Sequence, residues 1–343
     1  MGIKQRRQGL LRRPHTITGE KTRPKSLKPK EARRLIRRFH VLQKNRHSVI
    51  IKLNELLTIP GDKLSPDTYK KQIKNHSPLL FANYETKYNS YKVPSKYADN
   101  DLIRIDEQLT TEMLITKLAE IDSESDKRGG IEAYQSASTQ GQNSKRGGDS
   151  LKKLVEWLKD GDYSYSTKLD QELNALEIGC LSPSNIISTS GIFKEVVKID
   201  LNSQNHLILE QDFMMRPLPK TSREKFNLVS CSLVLNFVPS PKERGDMLKR
   251  ITQFLKPPKS SGSVSSLFLV LPLPCIENSR YFNNEILNKI MSKLGFRKTC
   301  YYAAKKVAYW LFDWEGELNR GERITKREVA AGANKNNFCI TLD

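Results

Sequence analysis

From residue 175 to the C-terminus, short apolar runs alternate with helical patterns, and this limits the fold more than any other feature of the chain. Strand-like runs fall at 175–180, 193–200, 206–213, 226–235, 266–273 and 307–314, with a last one at 338–342. Helical periodicity lies between them, most clearly at 240–256 and 282–294. Strands joined by helices rather than by tight turns run in the same direction, because a parallel pair needs a long crossover. The pattern predicts an α/β fold, a doubly wound and mainly parallel seven-stranded sheet with helices on both faces.

Ligands of such sheets lie beyond the carboxyl ends of the strands. The first strand leaves the sheet through Leu176-Glu177-Ile178-Gly179-Cys180, and a glycine there lets backbone approach a ligand closely. Twenty-one residues beyond Gly179 the second strand ends in Asp200, an offset at which an acid accepts from ribose hydroxyls. The third run leads into Gln211-Asp212-Phe213, which puts a further carboxylate at the same edge, suited to an adenine amino group. Neither G-x-G-x-x-G nor the Walker lysine is present, so the turn is not built for a pyrophosphate. Singly, Gly179 reads as a turn glycine and Asp200 as an ordinary strand-end acid. In this order and spacing they form a pocket for an adenosyl group without phosphates, which fits S-adenosylmethionine.

The formal net charge is +20, and most of it is local: residues 1–52 hold 17 Lys/Arg against two acids. Residues 1–28 are basic, aperiodic and poor in apolar side chains, as a disordered arm is. From Pro29, Leu35, Phe39, Leu42, Val49, Leu53 and Leu56 form one stripe of a long helix, with Arg33, Arg34, Arg37, Arg38, Lys44 and Arg46 around its first half. Such a distribution grips a polyanion through its phosphates, and it also fits nuclear and nucleolar targeting. Residues 58–100, with four prolines and scattered tyrosines, read as an irregular wrap, and 102–121 as a helix. The span 29–121 is thus a mainly helical extension. Residues 122–149 are rich in Ser, Gly and Gln, by composition a flexible connector. Ser150 is a suitable N-cap for a helix over 151–159, which opens the sheet-bearing part, 150–343.

The five cysteines show no C-x-x-C spacing, and all but Cys300 sit in or beside apolar runs. That argues against a disulfide framework and a zinc site, and for a reducing compartment. No metal is expected. No run approaches the ~20 apolar residues of a membrane span, and no apolar segment follows the first charges as in a secretory signal.

Five segments carry a resemblance. They are Tyr134-Gln135-Ser136-Ala137-Ser138-Thr139-Gln140-Gly141-Gln142, Arg146-Gly147-Gly148-Asp149-Ser150, the Gly179 turn, Gln211-Asp212-Phe213 and Cys231-Ser232-Leu233-Val234-Leu235-Asn236-Phe237-Val238-Pro239. Together they resemble the fungal 25S ribosomal RNA adenine-N1 methyltransferases, within the class I Rossmann-like enzymes that use S-adenosylmethionine. The resemblance covers about residues 130–343 well, and the basic arm in character. It implies methylation of an adenine N1 in large-subunit RNA during ribosome biogenesis, in the nucleus and nucleolus, on ribosomal RNA or a pre-ribosomal particle. Gly179 and Asp200 match the family's cofactor-binding positions. The resemblance also implies that 130–142 folds beside the pocket, with Gln135 and Gln142 as polar contacts.

The Asn/Asp-Pro-Pro-aromatic motif of many amino-methyltransferases is absent; Asn236-Phe237-Val238-Pro239 stands in its place. Asn236 reads either as a strand-end cap or as a hold on the base edge. Phe237 reads as a core aromatic or, with Tyr281-Phe282, as a stacking surface for an unpaired base. A non-catalytic S-adenosylmethionine sensor or assembly protein is the rival reading, and the basic arm favours the enzyme. The chain is expected to act as a monomer, with no membrane partner.

Overall fold

The computed structural model describes residues 27–57, 64–65, 68–95, 102–103, 105, 108–141, 148–160, 172–203, 205–258, 265–316 and 323–343. The expected basic arm, save its last two residues, and Gln142 lie outside them.

The chain opens on α1 (Pro29–Leu56), where proline takes the first turn and Glu31 accepts from the Lys28 N–H at 3.2 Å. Its stripe is buried at Leu42, Val49 and Leu53, whereas Leu56 is exposed in the last turn. The stretch expected as an irregular wrap contains α2 (Tyr69–His76) and α3 (Pro78–Ser90). Pro78 starts α3 rather than breaking it, and the Ser77 hydroxyl accepts from Leu80 N–H at 3.3 Å. The helix expected at 102–121 is α4 (Thr111–Lys127), capped by Thr110.

Buried carboxylates tie this layer together. Asp122 accepts from Arg46 Nε (2.7 Å), from the Tyr84 hydroxyl (2.6 Å) and from the Tyr69 hydroxyl. Glu124 takes a bidentate pair from Arg38 at 2.7 and 2.6 Å and a further donor from Arg128 at 2.7 Å. Burial pushes the Glu124 carboxyl up, but the two guanidiniums outweigh it and hold it below the usual range.

The supposed connector is largely helical: it holds the end of α4 and all of α5 (Gly130–Gly141), which buries Gln135 and Ala137. Composition misled here because the helix rests on packing, not on an apolar stripe of its own. Then come α6 (Leu151–Lys159), β1 (Asn174–Ile178), α7 (Ile186–Thr189), β2 (Glu195–Asp200), β3 (Leu209–Glu210), β4 (Leu228–Ser232) and α8 (Pro241–Phe254). The chain ends through β5 (Ser266–Pro272), α9 (Pro274–Glu277), α10 (Asn284–Lys293), β6 (Phe296–Ala303) and β7 (Val307–Trp314). Asp149, not Ser150, supplies the side-chain cap of α6, accepting from Leu151 N–H at 2.9 Å.

The strands form one seven-stranded sheet in the order β3-β2-β1-β4-β5-β7-β6. The first five run parallel, and β7 is antiparallel to both of its neighbours. Leu267, Leu269 and Leu271 of β5 enter one core while Phe268 and Val270 enter the other, as in a strand covered on both faces. Two expectations are corrected. The run at 338–342 is no sheet strand: Leu342 makes only an isolated bridge to Ile324, and Phe338 and Ile340 plug the core. The seventh strand is β6, whose Arg297, Lys298, Tyr301 and Tyr302 are exposed and hide the strand period.

Candidate active site

The carboxyl ends of β1, β2 and β4 meet at one edge of the sheet. After β1 the chain reverses at Gly179, whose N–H and that of Cys180 both donate to Ile199 O, at 2.9 and 3.0 Å. Gly179 has φ of 76°, and a Cβ there would overlap Cγ2 of Val234. Both demands exclude a side chain. Val234 is placed by Leu233, which holds φ at 57°, the one positive-φ non-glycine among the described residues. A left-handed leucine costs ~1–2 kcal/mol and persists where surrounding structure enforces it.

At the end of β2, Asp200 accepts from the Asn202 N–H at 3.0 Å and from Gln135 Nε2 at 3.3 Å. Gln135 also donates to Asn202 O, and its Oε1 accepts from Asn202 Nδ2 at 3.3 Å. Burial pushes the Asp200 carboxyl up, against the pull of these donors. So α5 reaches the end of β2 and lays Gln135 on Asp200 and Asn202. Asp212 is exposed and caps its own turn through Met214 N–H at 2.7 Å. Among the described residues no hydrogen bond joins it to the set around Gly179.

Sequence reasoning assigned no role to Glu177, although a carboxylate in an apolar strand is itself a signal. Glu177 is buried; one oxygen accepts from Asn185 Nδ2, and Oε2 has no partner among the described residues. Burial pushes its carboxyl up to about 7, opposed by hydrogen bonds from Cys180 and Asn185. The same elements are knitted by Asp149, which accepts from Ile186 N–H at 2.9 Å, and by the Ser150–Ser232 hydroxyl pair at 2.7 Å.

Beyond β4, Asn236 is buried and its Oδ1 has no partner among the described residues, so that oxygen caps nothing. Phe237 is neither core nor free. The His40 imidazole from α1 stacks on it, centroids 3.5 Å apart, and Tyr134 of α5 meets both rings edge-on. Phe39 in turn stacks on Tyr134 at 4.5 Å. No sequence signal pairs His40 or Tyr134 with Phe237, since the contact spans three separate elements. Phe282 is fully buried and packs edge-on against Phe338, so it offers no stacking surface. Among the described residues no group of His, Cys, Asp and Glu could hold a metal ion, and no helix is long and apolar enough to cross a membrane.

The Gly179 turn, where a Cβ would run into Val234, the Asp200 carboxylate and the Glu177 Oε2 without a partner among the described residues fit a cationic adenosyl cofactor. The sheet order, the glycine turn after β1 and the acid ending β2 define a class I, S-adenosylmethionine-dependent methyltransferase. A family model described as 25S rRNA (adenine(2142)-N(1))-methyltransferase, Bmt2, matches residues 119–340. The 25S rRNA (adenine(2142)-N(1))-methyltransferase of Saccharomyces cerevisiae is 33% identical over 349 residues, 96% of this chain and 99% of the relative. The 25S rRNA adenine-N(1) methyltransferase of Schizosaccharomyces pombe is 42% identical over 228 residues, 66% of this chain and 82% of the relative. The chain belongs to the 25S rRNA adenine-N1 methyltransferase family. Among solved structures, the N-methyltransferase NodS of Bradyrhizobium japonicum in complex with S-adenosyl-L-homocysteine is 13% identical, covering 48% of this chain and 98% of that one, with a TM-score of 0.31.

Proposed function

We propose that this chain methylates N1 of an adenine in large-subunit ribosomal RNA, with S-adenosylmethionine as methyl donor. The observation that carries the cofactor half is the Gly179–Asp200–Gln135 set: a turn with no room for a side chain beside a half-buried acid already dressed by an amide. The RNA half rests on family membership and on the basic N-terminal sequence. Bound S-adenosylmethionine supplies an activated methyl group on a sulfonium. The adenine N1 lone pair is largely unprotonated at neutral pH, so the chain's task is orientation, worth up to ~7–11 kcal/mol of the barrier. Glu177 and Asp200 hold the cofactor's cationic and ribose parts. Asn236 Oδ1 accepts from the exocyclic amine and leaves N1 free, while Phe237 carries the flipped-out base once the His40 ring yields its face.

The site of action is the nucleolus and the acceptor a pre-ribosomal particle, for which a polycationic arm is suited, and the working unit is a monomer. The test is incubation with labelled S-adenosylmethionine and large-subunit RNA lacking the modification, followed by mapping of the methylated base. Label at a single adenine N1 is expected; no incorporation, or label on another atom, overturns the reading.

A further inference from the structure

The face of α1 that carries His40 also carries Lys44 and His47, at helical spacings. His40 lies on Phe237 at 3.5 Å, and His47 Nε2 stands 3.5 Å from Glu243 Oε1. Lys44, half-buried between these two contacts, therefore faces the loop from Phe237 to Glu243. Within its Coulombic reach there is another cation, Arg244. Arg244 is buried, and its guanidinium donates to Val238 O (3.0 Å), Pro239 O (3.0 Å) and Cys339 O (2.6 Å), with Phe338 across its face.

Among the described residues no carboxylate forms an ion pair with Lys44 or Arg244. Glu243, the acid within Coulombic reach of Arg244, is engaged by Ser240 N–H (3.0 Å), the Ser240 hydroxyl (2.9 Å) and His47. The remaining titratable neighbours carry no negative charge: burial pushes the Cys275 thiol up to about 12 and the Cys339 thiol up, and it holds the His40 imidazole neutral. Burial and Arg244 bring Lys44 down to about 8, so at neutral pH it still carries its proton. Like charges held together without an anion cost stability, and such an arrangement suits a ligand that supplies the missing charge.

We infer that Lys44, backed by Arg244, seats a phosphodiester of the nucleotide whose base enters beside Phe237. This rests on the acceptor-site reading above. Four residues, ~6 Å of helix rise, separate His40 from Lys44 along α1, room for the sugar between a base and its phosphate.

The test compares full-length wild type with Lys44→Met and Lys44→Arg by thermal melting, cofactor calorimetry and methylation of a large-subunit RNA fragment over a salt series. Lys44→Met is expected to melt no lower than wild type, because repulsion from Arg244 is gone, and to bind S-adenosylmethionine unchanged. It should require about tenfold more RNA and lose about 0.7 from the log–log salt slope, and Lys44→Arg should restore both. A single neutral methylphosphonate beside the target adenine should cost wild type about tenfold and Lys44→Met nothing further. A full salt slope in Lys44→Met, or an undiminished methylphosphonate penalty, overturns the seat. Weakened cofactor binding in Lys44→Met assigns the anion to the cofactor's carboxylate and overturns it equally. If Asn236→Ala and Phe237→Ala both methylate normally, the acceptor-site reading fails, and the seat with it.

Discussion

The His40 imidazole lies flat on the Phe237 ring, 3.5 Å between centroids and 11° between planes, joining the N-terminal helix to the loop beyond β4. Burial, and secondarily Lys44, depress His40 to about 3, so it is neutral in the fold, and its Nε2 has no partner among the described residues. At Phe237 the helical layer therefore meets the loop beyond β4 by a ring contact with a neutral imidazole, not by a charge pair.

That contact has an acid signature. Because the folded pKa of His40 lies below its unfolded value, its stability contribution is intact above about pH 6.5 and is lost as pH falls toward 3. His40→Phe, which keeps a ring on Phe237, should flatten that part of the pH–stability curve. Urea melts at pH 7 and pH 5 check it: an unchanged pH dependence in the variant contradicts a buried neutral His40.

Gly179→Ala should lose cofactor binding by more than tenfold, since it adds ~1–2 kcal/mol of backbone strain and drives a methyl into Val234. Gly179→Arg should abolish it. Calorimetric titration with S-adenosylmethionine is the measurement, and methylation retained by Gly179→Arg would refute the placement of the pocket.

Asp200→Ala should weaken cofactor binding by about ten- to a hundredfold, the scale of a lost charged hydrogen bond. Gln135→Ala should do less, because Asn202 N–H still holds the carboxylate in place at 3.0 Å. Equal losses in the two variants would mean that Gln135 touches the cofactor itself.

Glu177 titrates near neutrality because burial raises it to about 7. Its destabilising ionisation is fully present above pH 7 and relieved as pH falls toward its unfolded value near 4.5. Without cofactor, Glu177→Gln should thus be more stable than wild type at pH 8, by on the order of 1–3 kcal/mol, and indistinguishable at pH 4.5. Wild-type affinity for the cationic cofactor should rise from pH 6 to 8, and that rise should vanish in the variant. A pH-independent affinity in wild type separates Glu177 from the cofactor.

Glu124→Ala should destabilise the helical layer by about 3–5 kcal/mol, because it removes the bidentate carboxylate from the buried Arg38. Thermal melts followed by circular dichroism measure it, and a change below about 1 kcal/mol would show that water reaches Arg38.

What the sequence alone determined was local. The alternation of strands and helices from 175 onward, the glycine that turns the chain after β1 and the acid that ends β2 are legible because period, φ and strand length are properties of neighbouring residues. The tertiary structure alone decided the rest. A Ser/Gln-rich stretch became α5 by packing on α1, and that placed Gln135 on Asp200. A charged, half-exposed run became β6 by pairing with β7, while the more apolar 338–342 was drawn into the core instead. Leu233 took a left-handed turn that seats Val234 against Gly179, and α1 brought His40 to Phe237 and Lys44 to Arg244. Apart from the β6–β7 hairpin, each of these joins residues far apart in the chain, through burial and hydrogen bonds that do not exist until the layers have docked.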